Sequence, residues 1–248
     1  METALVIDIG NTLTKIAVFN GEDLLHTAHY AQLDSGILDQ VVTDYPVKKT
    51  IITTVKKNTV EWEEELAKKT TLIYFDSRMT SGIKNHYLTP DTLGPDRLAG
   101  VIGAWHLYPG KSNVVIDGGT CITYDWVDAG GNYFGGSISP GLNMRYRALN
   151  NYTAGLPLLQ PEETFNMPSG NDTASAIRSG VQNGIKYELE GFIKSYKKDG
   201  EELNIVLSGG DSIFFDTLLK NSIFAPYIKI EPYLVLKGLN AAIQTYND

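Results

Sequence analysis

Two short segments of this chain echo one another, and the echo limits the fold more than any other feature. Val6-Ile7-Asp8-Ile9-Gly10-Asn11-Thr12 and Val115-Ile116-Asp117-Gly118-Gly119-Thr120 each join an apolar strand, an aspartate, a glycine turn and a threonine. Strand-like runs resume after each turn: Leu13 to Phe19 and Leu24 to Tyr30 after the first, Ile122 to Val127 and Tyr133 to Ile138 after the second. Asn20-Gly21 and Gly130-Gly131-Asn132 supply the turn signals between them. Each copy therefore opens a three-stranded meander, and helical patterns follow both. The expectation is an α/β chain of two similar lobes, residues 1–111 and 112–248. With 248 residues, 42% of them apolar, the chain has enough material for two such cores.

The remaining elements follow from periodicity and breakers. Leu33 to Tyr45 reads as a helix stopped before Pro46. Thr50 to Val55 reads as a strand, Val60 to Lys69 as a charged helix, and Thr71 to Phe75 as a strand. Residues 77–95 lack a period and read as a long loop, a type of segment that is often functional. Leu98, Val101, Ile102 and Trp105 recur at helical spacing within Asp96 to Tyr108. A single long helix is expected from about Asp172 to Lys198, and close packing is the expected reason for Gly180, Gly184 and Gly191 inside it. Leu203 to Leu207 reads as a strand leading into Ser208-Gly209-Gly210-Asp211, and a last helix follows Pro232.

Charge and cysteine usage narrow the partners. The net charge is −8, from 29 acidic and 21 basic residues, with no basic run, which argues against nucleic-acid binding. The lone Cys121 cannot form an internal disulfide, which fits a reducing compartment. The first residues read into a strand rather than a signal peptide, and no apolar run reaches the roughly 18 residues of a membrane span. A cytoplasmic protein with a small-molecule partner is expected. His26, His29, His86 and His106 are scattered, so a zinc site has no support.

Each motif has a chemical and a plain structural reading. Glycine turns beside Asp8 and Asp117 can form anion nests, and an aspartate at a strand end can hold a cation near phosphates; a single copy reads equally as an ordinary hairpin turn. Lys15 reads as a strand lysine or as a charge partner for β- and γ-phosphates. Ser208 to Asp211 reads first as a strand–helix turn capped by Asp211. In Gly94-Pro95-Asp96-Arg97, Asp96 is an N-cap or a base for a hydroxyl nucleophile, and Arg97 a solvated first-turn residue or a grip on a carboxylate. Gly110-Lys111-Ser112 is not a P-loop: Trp105 stands where the first glycine is required, and the fragment precedes a strand.

Taken in order, these motifs resemble those of type III pantothenate kinases, within the acetate and sugar kinase, Hsp70 and actin superfamily. The matching set is Asp8 to Thr12, Gly94 to Arg97, Asp117 to Thr120, Gly135-Gly136-Ser137-Ile138-Ser139-Pro140-Gly141-Leu142, Leu156-Pro157, Asn171-Asp172-Thr173 and Ser208 to Asp211. Pro95 stands where the family often has alanine. The resemblance implies a duplicated actin-like ATPase (ribonuclease H-like) fold, with mixed sheets flanked by helices. It implies ATP contacts from Asp8, Ile9, Gly10, Asn11, Thr12, Leu13, Thr14, Lys15 and Thr120, and a general base at Asp96. Tyr87, Gly94, Pro95, Asp96, Arg97 and Thr173 would contact pantothenate, and Asp117 would hold K⁺ or NH₄⁺. ATP with Mg²⁺ near Asp8 would be the phosphoryl donor, and a homodimer would carry the pantothenate pocket at its interface. The alternatives are a nucleotide-binding regulatory protein of the same fold without kinase activity, or a kinase of another small hydroxylated substrate.

Overall fold

The computed structural model of the chain describes residues 2–54, 61–197 and 202–246. Alternating apolar residues form β1 (Thr3–Ile9), the Gly10 turn reverses the chain into β2 (Thr14–Asn20), and Gly21 turns it into β3 (Asp23–Tyr30). α1 (Ser35–Asp44) starts where the Asp34 carboxylate accepts the Ile37 N–H, and it stops at Tyr45, before Pro46. β4 (Val47–Thr54), α2 (Glu61–Ala67) and β5 (Thr71–Tyr74) follow. Val55 and Val60, expected to end that strand and begin that helix, lie outside the described residues. The sheet runs β3-β2-β1-β4-β5, antiparallel at β1–β2 and β2–β3, parallel at β1–β4 and β4–β5. Leu5, Ile7 and Ile9 join Ile16, Val18 and Ile52 on the face covered by Leu38, Val41, Trp62 and Leu66. Period-two alternation sends Ala4, Val6 and Asp8 to the other face.

Segment 77–95 is less irregular than its sequence suggests. It contains β6 (Lys84–Asn85) and one 3₁₀ turn, Pro90–Thr92. α3 (Pro95–Leu107) then leads to β7 (Ser112–Gly118), β8 (Cys121–Val127) and β9 (Asn132–Pro140). α4 (Leu142–Asn151) and α5 (Thr173–Arg178) follow. The long helix expected from Asp172 is divided: Ser179–Asn183 is a π-helical turn, and α6 (Gly184–Tyr196) continues beyond it. Lys198, its expected end, lies outside the described residues. A Cβ added at Gly180, Gly184 or Gly191 would meet nothing within 4 Å, so close packing is not why these glycines are there. β10 (Leu203–Gly209), α7 (Ser212–Leu219) and β11 (Ile228–Ile230) complete the second sheet, ordered β11-β10-β7-β8-β9-β6. Its core joins Val114, Ile116 and Tyr124 to Ile185, Leu189, Leu207 and Phe215.

The chain divides into two compact units: Met1–Pro109 with Gly131–Phe134 and Tyr233–Asp248, and Gly110–Gly130 with Gly135–Pro232. This differs from the expected halves at the C-terminus. α8 (Leu234–Thr245) packs with the first unit, not the second. Glycines allow it: a Cβ on Gly238 would lie 1.8 Å from the Ala99 carbonyl, and one on Gly103 would lie 2.5 Å from the Leu234 carbonyl. α3 and α8 therefore cross at backbone contact. Asn240 Nδ2 adds a buried bond to the Gly21 carbonyl at 2.8 Å.

Candidate active site

The register of the first sheet assembles the first turn. Asp8 of β1 stands directly opposite Lys15 of β2 on one side and Thr53 of β4 on the other. Lys15 in turn stands opposite His29 of β3. Residues in direct register share a sheet face, so Thr53, Asp8, Lys15 and His29 form one polar row across four strands. Asp8 and Lys15 are half-buried. The Gly10 N–H donates to the Leu13 carbonyl at 3.1 Å, which closes the turn and leaves Asn11, Thr12 and Leu13 exposed at its tip. Ile9 and Thr14 are buried flanks of that turn. An exposed turn next to a lysine is a fit for anionic phosphate oxygens.

The second turn repeats this plan in the second unit. Asp117 of β7 stands opposite Thr123 of β8 and Ser208 of β10. Gly209 has φ 79°, and a Cβ there would lie 2.3 Å from the Gly118 carbonyl, so only glycine lets the end of β10 lie against this turn. Thr120 is exposed at the tip. Asp211 occupies the N-cap position of α7 but makes no side-chain cap bond, contrary to the plain reading of its motif. Its N–H donates to the Gly118 carbonyl at 3.1 Å. Burial, and after it the charge of Asp117, push the Asp211 carboxyl above the usual carboxylate range. A carboxyl that feels both burial and the charge of a second carboxylate suits a neighbouring cation. No group of three or more His, Cys, Asp or Glu among the described residues could enclose one, so carbonyls, phosphate or water would have to complete its shell.

A hydrogen-bonded brace lies behind this second turn. Gly141 N–H donates to the Thr120 carbonyl at 3.1 Å, and a Cβ on Gly141 would lie 2.2 Å from the Gly119 carbonyl. Arg145, one turn into α4, reaches back: its Nε donates to the Pro140 carbonyl at 2.8 Å and its Nη2 to Ser139 Oγ at 2.8 Å. The same Nη2 meets Glu188 of α6 at 2.6 Å, and Tyr124 Oη donates to the other Glu188 oxygen at 2.8 Å. Burial opposes the Glu188 charge, but the bonds from Arg145, Ser139 and Tyr124 outweigh it and hold the carboxyl below its usual range. Burial and the Glu188 charge push the Tyr124 phenol upward.

The third motif lies in the first unit. Gly94 is the N-cap of α3 and Pro95 its first residue, which makes Asp96 the second helical residue and not the cap. The Asp96 carboxylate accepts the Arg97 N–H at 2.8 Å and its side chain is exposed. Arg97 is not a solvated residue. It is 7% exposed, and its guanidinium lies 5.7 Å from the centre of the Tyr87 ring. Tyr87 is held in turn by Asn85 Oδ1, which accepts its N–H at 3.0 Å. The start of β9 steadies this stretch: Lys84 and Asn85 pair with Asn132 and Tyr133, and the His86 ring stacks on Phe134 at 4.6 Å. The structure thus brings together Tyr87, Gly94, Pro95, Asp96 and Arg97. Thr173 is exposed at the first position of α5 in the second unit, after a capping box formed by Asp172 and Ser175.

Three residues at these sites escape the sequence reading. Asp211 lies inside a recognised motif, but its environment depends on Asp117. Thr53 and Arg145 carry no local signal: one is an ordinary strand threonine and the other an ordinary helix arginine.

The chain matches the family model described as type III pantothenate kinase over residues 4–195. It is 44% identical over 246 residues to the type III pantothenate kinase of Bacteroides fragilis strain YCH46, covering 98% of each chain. Among solved structures, it resembles a proposed Baf family transcriptional activator from Campylobacter jejuni at 21% identity and a TM-score of 0.59, over 97% of each chain. It also resembles the activator of the 2-hydroxyisocaproyl-CoA dehydratase from Clostridium difficile, solved with bound ADPNP, at 15% identity and a TM-score of 0.56, over 98% of this chain and 93% of that one. The fold is that of the actin-like ATPases and sugar kinases. With its motifs in order and its relatives aligned over nearly their whole length, the chain belongs to the type III pantothenate kinase family.

Proposed function

We propose that this pantothenate kinase passes the γ-phosphoryl of ATP to the terminal hydroxyl of pantothenate, the first step of coenzyme A biosynthesis, with Asp96 as general base. The hydroxyl oxygen bonds to the γ-phosphorus, the bond to the β–γ bridging oxygen breaks, ADP leaves, and the hydroxyl proton passes to Asp96. One observation carries this assignment: an exposed carboxylate at Asp96 lies next in sequence to the buried Arg97, whose guanidinium is steadied by Tyr87. A substrate with a carboxylate at one end and a hydroxyl at the other suits that pair, the arginine gripping one end and the aspartate facing the other. Gly94, Pro95 and Thr173 complete the substrate contacts in this reading.

Residues 8–15 and Thr120 would hold the triphosphate, with Lys15 offsetting its charge. Phosphoryl transfer depends mainly on positioning and charge stabilisation. Mg²⁺ bound to the phosphates would neutralise developing charge beside Asp8. K⁺ or NH₄⁺ would be held by Asp117, with Asp211 as its neighbour. The reading also includes a homodimer with the pantothenate pocket at its interface, which light scattering of the purified protein tests. A cytoplasmic location goes with these substrates, and no helix among the described residues is long and apolar enough to cross a membrane.

A coupled ADP-release assay, run with and without pantothenate and with Na⁺, K⁺ or NH₄⁺, tests the whole. ADP release that requires pantothenate and rises with K⁺ or NH₄⁺ is expected. ADP release indifferent to pantothenate would end the substrate assignment. No observation at either turn favours a non-catalytic regulatory protein.

A further inference from the structure

The polar row across the first sheet contains a group that nothing among the described residues satisfies. Thr53 is 2% exposed, and its Oγ1 is buried with no hydrogen-bond partner among the described residues. A buried hydroxyl left without a partner costs about 1–3 kcal/mol. An aliphatic residue of similar shape would avoid that cost in a strand whose neighbours Ile51 and Ile52 are buried and apolar. The position is therefore expensive to fill with threonine unless something else engages the hydroxyl.

Its place in the sheet points to that partner. Thr53 stands in direct register with Asp8 on the adjacent parallel strand, on the face shared by Lys15 and His29. The second unit repeats the arrangement: Ser208, 1% exposed, stands in direct register with Asp117 on its adjacent parallel strand. A small hydroxyl residue thus flanks the turn aspartate in both copies, although the surrounding sequences, Ile52-Thr53-Thr54 and Leu207-Ser208-Gly209, have little in common.

We propose that the Thr53 hydroxyl hydrogen-bonds a water of the hydrated divalent cation that accompanies the nucleotide at Asp8. Mg²⁺ dehydrates reluctantly, keeps several waters, and uses one or two carboxylates beside the phosphates. A single half-buried aspartate with a neighbouring hydroxyl matches that demand, because the carboxylate and the hydroxyl can each accept a hydrogen bond from a bound water. Thr53 is then a binding residue for the metal–nucleotide complex. This rests on the kinase reading above and adds a residue to it.

The test is Thr53→Val, with Thr53→Ser as the conservative partner, followed by calorimetric titration with ADP in Mg²⁺ and in EDTA, and by thermal melting without nucleotide. Loss of one hydrogen bond of this kind predicts about tenfold weaker ADP binding for Thr53→Val in Mg²⁺. No difference from the parent is expected in EDTA, and Thr53→Ser should bind as the parent does. The nucleotide-free melting temperature of Thr53→Val should be unchanged or higher, because the variant removes an unsatisfied group. Equal binding by Thr53→Val and parent in Mg²⁺ overturns the proposal. So does an equal deficit with and without the metal, which would make the hydroxyl a phosphate contact. So does a drop of several degrees in the nucleotide-free melt, which would mean the hydroxyl has an internal role. If the parent itself fails to bind ADP with Mg²⁺, the nucleotide site at Asp8 is wrong, a result distinct from failure of the variant pattern alone.

Discussion

Arg145 meets Glu188 at 2.6 Å and, with the same guanidinium, holds the Pro140 carbonyl at 2.8 Å, so one side chain ties helix α6 to the residue before Gly141. Gly141 sits on the Thr120 carbonyl. Through these links, α6 supports the second aspartate–glycine turn. Arg145→Ala should lower stability by about 1–3 kcal/mol, because it leaves Glu188 half-buried without its cation. It should also raise KM for ATP about tenfold while KM for pantothenate stays near the parental value. Arg145→Lys keeps the charge but loses the planar fork, so it should recover stability better than ATP affinity. Urea denaturation and steady-state kinetics check both.

The same pair predicts acid sensitivity. The Glu188 carboxyl lies below its usual range in the folded protein, so the folded state binds fewer protons there than the unfolded chain. Its stabilising contribution is complete above the unfolded pKa of 4.5 and is lost as pH falls through the lower folded value. Glu188→Gln should therefore narrow the stability gap between pH 7 and pH 3, read by denaturant midpoints across that range. A gap as wide as the parent's would mean other carboxylates dominate.

Asp96→Asn should cut turnover by about 10²- to 10⁴-fold, the usual contribution of a positioned base. The melting-temperature increase caused by Mg²⁺ and ADP should be unaffected, since the amide keeps the shape and its oxygen still accepts the Arg97 N–H. Parental turnover in Asp96→Asn would remove the residue from the mechanism.

Two glycine substitutions should move stability in opposite directions. Gly238→Ala places a methyl 1.8 Å from the Ala99 carbonyl at the crossing of α3 and α8, and backbone cannot yield there. A loss of about 2 kcal/mol or more is expected. Gly191→Ala lies in α6 with open space around the new methyl, and a gain of about 1 kcal/mol is expected from helix propensity. Chemical denaturation of both variants gives the signs.

At the second turn, burial and then the charge of Asp117 raise the cost of ionising Asp211, a cost that a bound cation would offset. Exchange of K⁺ for a large organic cation should lower kcat/KM for ATP and the melting temperature of the ADP complex together. Asp117→Asn should abolish the response to K⁺ while retaining a folded protein. A K⁺ response that survives in Asp117→Asn would place the ion elsewhere.

Much of this site is legible in the chain itself. The paired strand–aspartate–glycine turns, the hairpin at Asn20-Gly21 and the helix after Gly94 are written in residues that are neighbours in sequence. Their period, turn chemistry and caps act over a few residues, and the structure forms each of them. Other features are hidden for a definite reason. Arg97 reads as a solvated first-turn residue because nothing near it in sequence reports that Tyr87 will cover it. Asp211 reads as a cap because its burial beside Asp117 arises from the pairing of β10 with β7, more than ninety positions apart. The π turn at Ser179–Asn183 interrupts a continuous apolar stripe that by itself indicates one helix.

The amino-acid order alone determined the two turns, the strands that carry them and the family to which they belong, because local periodicity and backbone freedom are properties of adjacent residues. Tertiary structure alone decided that Thr53 stands beside Asp8, that Arg145 reaches Glu188 and that α8 returns to the first unit. Strand register and helix docking depend on the fit of distant surfaces, down to a missing methyl at Gly103 and Gly238, and that fit exists only after the chain has folded.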